Sequence, residues 1–165
     1  MSITQTDFKS INTFVFDVDG VLTDGLLYCF ADGEQVRAFN IKDGFAIKHA
    51  ISQGYRVAII SGKNEPGVRR RLEQLGIEDI YLGIDEKVDT LEDYLYMQGI
   101  NPATVAYMGD DMPDYEVMQR CGLRACPADA AEDIKAISTF ISTKNGGRGA
   151  VRQLIETIMK TQDNW

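Results

Sequence analysis

The chain has 165 residues, of which 44% are hydrophobic, so it is long enough to bury one core but too short to predict two independent domains. Its formal net charge of -8 and its pI near 4.6 argue against nucleic-acid or anionic-membrane partners, which repel an acidic surface. The three cysteines form no CxxC pair and the N-terminus has no secretory leader, so we predict reduced core thiols, a cytoplasmic location and no membrane span.

Apolar strand-like stretches alternate with helix-like stretches along the chain. A buried strand at residues 13–18 is followed by a β-hairpin at about 25–39, which we call the flap. A helix capped by Asp43 is predicted to run to about Gln53. The remaining strands are predicted at 55–60, 80–82, 105–108 and 123–126, and the remaining helices at 64–75, 87–97, 115–120, 131–136 and after residue 149. This alternation predicts an α/β fold with a Rossmann-like parallel sheet and helices on both faces.

Polar residues stand where several predicted strands end or where a helix begins. They are Asp17 and Asp19, Ser61 and Gly62, Lys87, and the acidic segment 109–114. Each could be an ordinary solvated turn, because Asp, Ser and Gly are common turn residues. Ligands of open α/β sheets collect beyond the carboxyl ends of the strands, however, and the joint order of these groups favours one shared site.

The acidic residues suit phosphoryl transfer. A carboxylate such as that of Asp17 can attack phosphorus, provided that Mg²⁺ and cationic groups reduce the repulsion between two anions. Mg²⁺ prefers oxygen ligands and is usually held by one or two carboxylates, a task that suits Asp17 and Asp110. Asp19 can protonate the departing alcohol and then deprotonate the attacking water.

The other polar residues suit binding of the phosphoryl group itself. Ser61 offers a hydroxyl, and Gly62 offers a backbone amide at a predicted junction between strand and helix, where phosphate oxygens commonly bind. Lys87 adds a compact positive charge. Together these residues predict a site for a phosphate ester.

Four segments of the sequence are similar, in order, to the motifs of the haloacid dehalogenase superfamily of phosphatases. They are DVDGVLTDG at 17–25, ISG at 60–62, Lys87 and GDDMPD at 109–114. The resemblance implies that Asp17 is the nucleophile, Asp19 the acid and base, Ser61 a phosphate ligand, Lys87 the charge neutraliser and Asp110 a metal ligand. It further implies Mg²⁺ bound by Asp17, Asp110 and the backbone carbonyl of Asp19, with Asp114 orienting the metal loop or Lys87. Asp111 either supports the metal site, which we favour, or is a solvated neighbour.

The intervals between the motifs leave no room for a cap domain, so the sequence is similar to the capless subgroup. The segments FNIKDG, SGK, VRRR and GGRGAVR resemble the family of 3-deoxy-D-manno-octulosonate 8-phosphate phosphatases. That resemblance implies hydrolysis of this sugar-acid phosphate through an aspartyl-phosphate, a step of lipopolysaccharide biosynthesis. It also implies a homotetramer in which the glycine-rich tail, part of the stretch 145–161, reaches a neighbour's active site.

Three further cations are expected to recognise the sugar. The resemblance places Arg148, with Arg152 as an alternative, near the substrate, and Arg70 or an adjacent arginine of the run 69–71 could pair with its carboxylate. Lys63 preserves a positive charge that the octulosonate enzymes have after the second motif, whereas related nonulosonate 9-phosphate phosphatases are acidic there. The nonulosonate phosphatases therefore remain an alternative, and the eight-carbon substrate is favoured.

A response-regulator receiver domain is the main alternative of another class, because it also combines acidic residues, a hydroxyl, a lysine and Mg²⁺. A receiver carries its phosphorylated aspartate on a middle strand, whereas here the pair Asp17 and Asp19 comes first in the chain. A non-catalytic assembly module is a further alternative. The intact set of acidic residues, Ser61 and Lys87 argues against that module.

Overall fold

The computed structural model describes residues 8–165. Six strands form a parallel sheet in the order β5-β4-β1-β6-β7-β8, and two short strands form a separate antiparallel hairpin. The strands are β1 (Thr13–Phe16), β2 (Tyr28–Cys29), β3 (Gln35–Val36), β4 (Arg56–Ser61), β5 (Asp79–Leu82), β6 (Val105–Met108), β7 (Leu123–Cys126) and β8 (Phe140–Ile141). The helices are α1 (Ile41–Ser52), α2 (Pro66–Gln74), α3 (Lys87–Gln98), α4 (Tyr115–Met118), α5 (Glu132–Ile137) and α6 (Ala150–Thr161).

Strand β1 lies in the middle of the sheet because its sequence, TFVF, can be buried on both faces. All four of its residues are buried, and it pairs in parallel with β4 on one side and β6 on the other. Alternate side chains of a strand point to opposite faces. Phe14 and Phe16 accordingly enter one core cluster, and Val15 enters the other.

Helices cover both faces of the sheet, as the sequence predicted. Apolar residues of α1, α2 and α6 pack in the cluster that contains Phe14, whereas those of α3, α4 and α5 pack in the cluster that contains Val15. Between β1 and β4 the chain forms the flap and α1, and between β4 and Lys87 it forms α2 and β5. The predicted Rossmann-like fold with a flap is confirmed.

Several local predictions were wrong. The paired part of the flap is much shorter than 25–39, because only β2 and β3 form its ladder. Helix α1 begins at Ile41 and is capped by Asn40, whose side chain accepts hydrogen bonds from two backbone amides in the first turn. Cys29 is exposed on the flap rather than buried in a core. The short edge strand β8 was not predicted, since two residues carry too little periodicity.

The C-terminal helix α6 belongs to the core and is not an appended tail. Six of its residues are buried: Ala150, Val151, Leu154, Ile155, Ile158 and Met159. The carboxylate of Asp43 in α1 accepts a hydrogen bond of 2.9 Å from the backbone amide of Arg152, which fixes the first turn of α6. Among residues 8–165, no helix is long and apolar enough to cross a membrane.

Candidate active site

A cavity of about 490 Å³ lies at the carboxyl edge of the sheet, where β1, β4 and β6 end. Because the strands are parallel, residues that follow each strand meet at this edge. The lining comprises Asp17, Asp19, Gly20, Gly25, Ser61, Gly62, Lys63, Ile84, Asp85, Lys87, Asp110, Asp111 and Pro113. The structure therefore brings together side chains from four segments that are far apart in the sequence.

A buried ammonium group joins two carboxylates at the floor of the cavity. Lys87 Nζ lies 2.9 Å from Asp17 Oδ2 and 2.8 Å from Asp114 Oδ1. The first residue of α3 is thus fixed between the end of β1 and the loop after β6. Burial lowers the pKa of Lys87, but Asp114 and Asp17 outweigh it, and the pKa is raised above its ordinary value. The lysine therefore stays charged beside Asp17.

Asp114 organises the other groups and is fully buried. Its Oδ1 accepts hydrogen bonds from Lys87 Nζ and from the hydroxyl of Tyr107, and its Oδ2 accepts one from the backbone amide of Asp110. Asp111 is exposed and accepts a hydrogen bond from the amide of Met112. Sequence reasoning did not identify Tyr107, because a tyrosine inside an apolar strand is usually a core residue.

The cavity has an excess of negative charge. Burial, followed by the charge of Asp114, raises the pKa of Asp17 to about 7, although Lys87 opposes the change. Burial and the charges of Asp17, Asp114 and Asp111 raise the pKa of Asp110 to about 8. These shifts mean that further positive charge at the site would stabilise both carboxylates.

The donor set suits a divalent cation with a preference for oxygen ligands. Carboxylate oxygens of Asp17, Asp110 and Asp114 all lie within 4.8 Å of one another. Asp17 and Asp110 line the cavity, whereas Asp114 does not and is held by Lys87, Tyr107 and the amide of Asp110, so Asp17 and Asp110 are the carboxylates that a metal in the cavity can reach. Gly20 approaches Asp110 closely, which brings the backbone that follows Asp19 to the same place. One or two carboxylates plus backbone oxygens are a suitable environment for Mg²⁺.

The end of β4 supplies groups for an anion. Ser61 is buried at the last position of the strand, and Gly62 and Lys63 follow it as exposed residues that line the cavity. A hydroxyl, backbone amides and a flexible ammonium group therefore face the carboxylates across the same space. Such groups can bind phosphoryl oxygens.

Asp19 lines the cavity, but a residue that the sequence analysis did not name holds its side chain. Arg37, which follows β3 of the flap, donates from Nε to Asp19 Oδ1 at 2.6 Å and from Nη2 to Asp19 Oδ2 at 3.3 Å. No sequence pattern links two residues eighteen positions apart across a hairpin. The tertiary fold alone reveals this contact.

Two predicted substrate residues do not line the cavity within one chain. Arg70 borders a separate cavity of about 600 Å³ between the flap and α2. Arg148 is 71% exposed, and its Nη2 lies 3.6 Å from Asp24 Oδ2. It lines another cavity of about 440 Å³ together with Arg152 and three lysines. Within this chain, neither Arg70 nor Arg148 lines the cavity that contains Asp17 and Asp110.

The comparisons with known proteins agree with the site's chemistry. A model of haloacid dehalogenase-like hydrolases matches residues 79–155. The 3-deoxy-D-manno-octulosonate 8-phosphate phosphatase KdsC of Salmonella typhi is 38% identical over 158 residues, which cover 96% of this chain and 84% of that protein.

Two solved structures are similar over nearly the whole chain. The phosphatase of this type from Yersinia pestis aligns with a TM-score of 0.94 at 36% identity and covers 97% of this chain and 86% of its own. The one from Moraxella catarrhalis, solved in complex with a magnesium ion, a phosphate ion and a KDO molecule, aligns with a TM-score of 0.94 at 36% identity and covers 97% and 92%.

Proposed function

The chain belongs to the family of 3-deoxy-D-manno-octulosonate 8-phosphate phosphatases among the haloacid dehalogenase-like hydrolases, and we infer that it is a phosphatase that hydrolyses this sugar-acid phosphate with Mg²⁺ as its cofactor. The observation that carries the inference is the convergence of Asp17, Asp110, Ser61 and Lys87 on one cavity. The roles of the individual residues below are our proposal.

The first half-reaction transfers the phosphoryl group to the enzyme. A carboxylate oxygen of Asp17 forms a bond to phosphorus while the bond from phosphorus to the sugar oxygen breaks. Asp19 gives its proton to that departing oxygen, so the sugar acid leaves as a neutral alcohol at this position. Ser61 and the amide of Gly62 hold the phosphoryl oxygens, and Lys87 compensates their charge.

The second half-reaction returns the enzyme to its starting state. Asp19, now a carboxylate, takes a proton from a water molecule as the water oxygen attacks phosphorus. The bond between phosphorus and Asp17 breaks, and phosphate is released. Because Asp19 regains in this step the proton that it lost in the first, one residue serves both halves.

Asp17 and Asp110 would hold the cation, and the backbone carbonyl of Asp19 would be a further ligand. When bound, Mg²⁺ supplies positive charge that reduces the repulsion between the phosphate ester and the carboxylates. Asp114 keeps Lys87 and the amide of Asp110 in place. The raised pKa values of Asp17 and Asp110 support this assignment, since burial and the neighbouring carboxylates disfavour their charged forms more than Lys87 favours them.

The assembly is a further part of the proposal. We propose that residues 1–165 work as one domain in the cytoplasm and that four copies form a homotetramer. The flap supports this idea because it exposes apolar side chains, with Leu26, Tyr28 and Phe30 each more than half exposed. In such an assembly Arg148 of one subunit would reach the substrate of its neighbour, and Lys63 and Arg70 would contact the sugar acid.

Replacement of the nucleophile tests the mechanism. Asp17→Asn should abolish phosphate release from 3-deoxy-D-manno-octulosonate 8-phosphate while leaving the fold intact, because an amide cannot attack phosphorus. Phosphate release with Mg²⁺ present and the circular dichroism spectrum are the measurements. Turnover near the wild-type rate in this variant would refute the assignment of Asp17 as the nucleophile. Nonulosonate 9-phosphates in the same assay test the choice of the eight-carbon substrate.

A further inference from the structure

The flap residue Arg37 has an unusual environment. Its side chain is only 2% exposed, yet the guanidinium group belongs to a short surface hairpin. Nε and Nη2 both donate to the carboxylate of Asp19, one to each oxygen. A planar guanidinium that contacts both oxygens fixes the orientation of a carboxylate better than a single hydrogen bond does. Arg37 therefore determines how Asp19 faces the cavity.

The third nitrogen of this guanidinium points to a second carboxylate. Nη1 is buried and finds no hydrogen-bond acceptor among residues 8–165. Glu65 Oε1 lies 4.0 Å from it. Glu65 stands at the N-cap position of α2, but its side chain makes no capping hydrogen bond and is 36% exposed. A small movement would thus let Glu65 accept from Arg37.

We propose that Arg37 is a positioning residue for Asp19 and that Glu65 is its second anchor. Before the reaction, Arg37 holds Asp19 in place through both of its oxygens, beside the space where the leaving oxygen will lie. When Asp19 turns towards that oxygen, the guanidinium shifts to Glu65 and its buried charge remains paired. The proposal rests on the role of Asp19 as the acid in the proposed function. It also couples the flap to the chemical step.

The need for an acid depends on the leaving group, which gives a specific readout. An alkoxide such as the sugar oxygen leaves poorly without a proton, whereas p-nitrophenolate leaves well without one. Loss of correctly aimed Asp19 should therefore slow hydrolysis of the sugar-acid phosphate far more than hydrolysis of p-nitrophenyl phosphate. Loss of a residue that is needed only for folding would slow hydrolysis of both substrates by the same factor.

The experiment compares kcat/KM for these two substrates in wild type, Arg37→Gln, Arg37→Lys and Glu65→Gln, with Mg²⁺ present. We choose kcat/KM because it reports the first half-reaction, in which the leaving group departs. For Arg37→Gln we expect a loss of about 100-fold with the sugar-acid phosphate and at most about threefold with p-nitrophenyl phosphate. Arg37→Lys should recover part of the loss, and Glu65→Gln should show a selective loss of about threefold to tenfold with the sugar-acid phosphate.

Controls separate this inference from the mechanism on which it rests. Arg120→Gln removes the arginine of an exposed ion pair with Glu92, and kcat/KM should stay at the wild-type value for both substrates. Asp17→Asn should stop hydrolysis of both substrates. Activity in that variant would therefore refute the role of Asp17 as the nucleophile and would not bear on the role of Arg37. Equal losses for the two substrates in Arg37→Gln and Arg37→Lys, or no loss, would overturn the positioning role. Equal losses or no loss in Glu65→Gln would overturn the second anchor.

Discussion

Gly20 lies so close to Asp110 that no side chain fits between them. A methyl group on Gly20 would overlap Asp110 Oδ2, well inside van der Waals contact. Gly20 also has a φ of +80°, a conformation that other residues rarely adopt. The glycine of the first motif thus lets the nucleophile loop approach the carboxylate of the last motif.

Gly20→Ala should weaken Mg²⁺ binding by at least about tenfold, because the new methyl group displaces the Asp110 carboxylate. Isothermal titration with Mg²⁺ measures the affinity. Gly54→Ala is the matched control, since Gly54 has a φ of +88° and no atom lies within 4 Å of the place that its new methyl group would take. Both variants should lose stability through backbone strain, but Gly54→Ala should bind Mg²⁺ as the wild type does. Equal affinities in the two variants would contradict the steric argument.

Lys87→Met should destabilise the metal-free protein by about 3–5 kcal/mol at pH 8, because Asp17 and Asp114 lose the cation between them in a buried place. The loss should be smaller at pH 5, where protonation removes the unpaired charge. Denaturant unfolding at the two pH values measures both. Lys160→Met, which removes an exposed pair with Glu156, should cost about 0–1 kcal/mol. If Lys87→Met lost no more stability than Lys160→Met, the buried ion pairs of Lys87 would contribute little to the free energy of unfolding.

The stability of the metal-free protein should fall as the pH rises from about 4 to about 8. The folded state holds protons on Asp17 and Asp110, with pKa values of about 7 and 8, at pH values where the unfolded chain, with pKa 3.8, has lost them. The folded state therefore binds more protons in this range, and stability declines with pH. Thermal unfolding in a chelator measures the trend.

Mg²⁺ affinity should change in the opposite direction over the same range. The cation displaces protons from the carboxylates, so binding should strengthen by up to about tenfold per pH unit for each proton released. Titrations between pH 5.5 and pH 8 measure this slope. Asp110→Asn removes one titrating group and should bind Mg²⁺ weakly with a shallower slope. An affinity that does not depend on pH would contradict the raised pKa values.

Subunit mixing tests whether Arg148 acts on a neighbour's substrate. Removal of the whole stretch 145–161 would take away core residues of α6, so single substitutions are the sharper probe. Arg148→Ala should lose activity towards the sugar-acid phosphate and keep activity towards p-nitrophenyl phosphate. When it is refolded together with inactive Asp17→Asn, some mixed assemblies combine an intact Asp17 with an intact neighbouring Arg148 and should regain activity. Without any recovery, a role across subunits is ruled out.

The sequence predicted the sheet and its helices because buried parallel strands and amphipathic helices have strong, local periodicity. Strand β7 and helix α3 were placed to within one residue, since each has a clear apolar pattern and α3 ends at Gly99. The predicted cap of α1 was wrong because Asn and Asp are both good N-cap residues, and the sequence offers both Asn40 and Asp43. In the structure Asn40 caps the helix, and the carboxylate of Asp43 instead accepts a hydrogen bond from the backbone amide of Arg152 in another helix.

The fold class and the set of polar residues at the strand ends can be predicted from the amino-acid sequence, because they follow from local patterns and from the rule that parallel strands end at one edge of a sheet. The contacts between these residues cannot be predicted in the same way, because they form in the folded protein. The contacts of Lys87 with Asp114 and of Arg37 with Asp19 join segments far apart in the chain. Their charges interact strongly because folding buries them together, a condition that no single segment encodes.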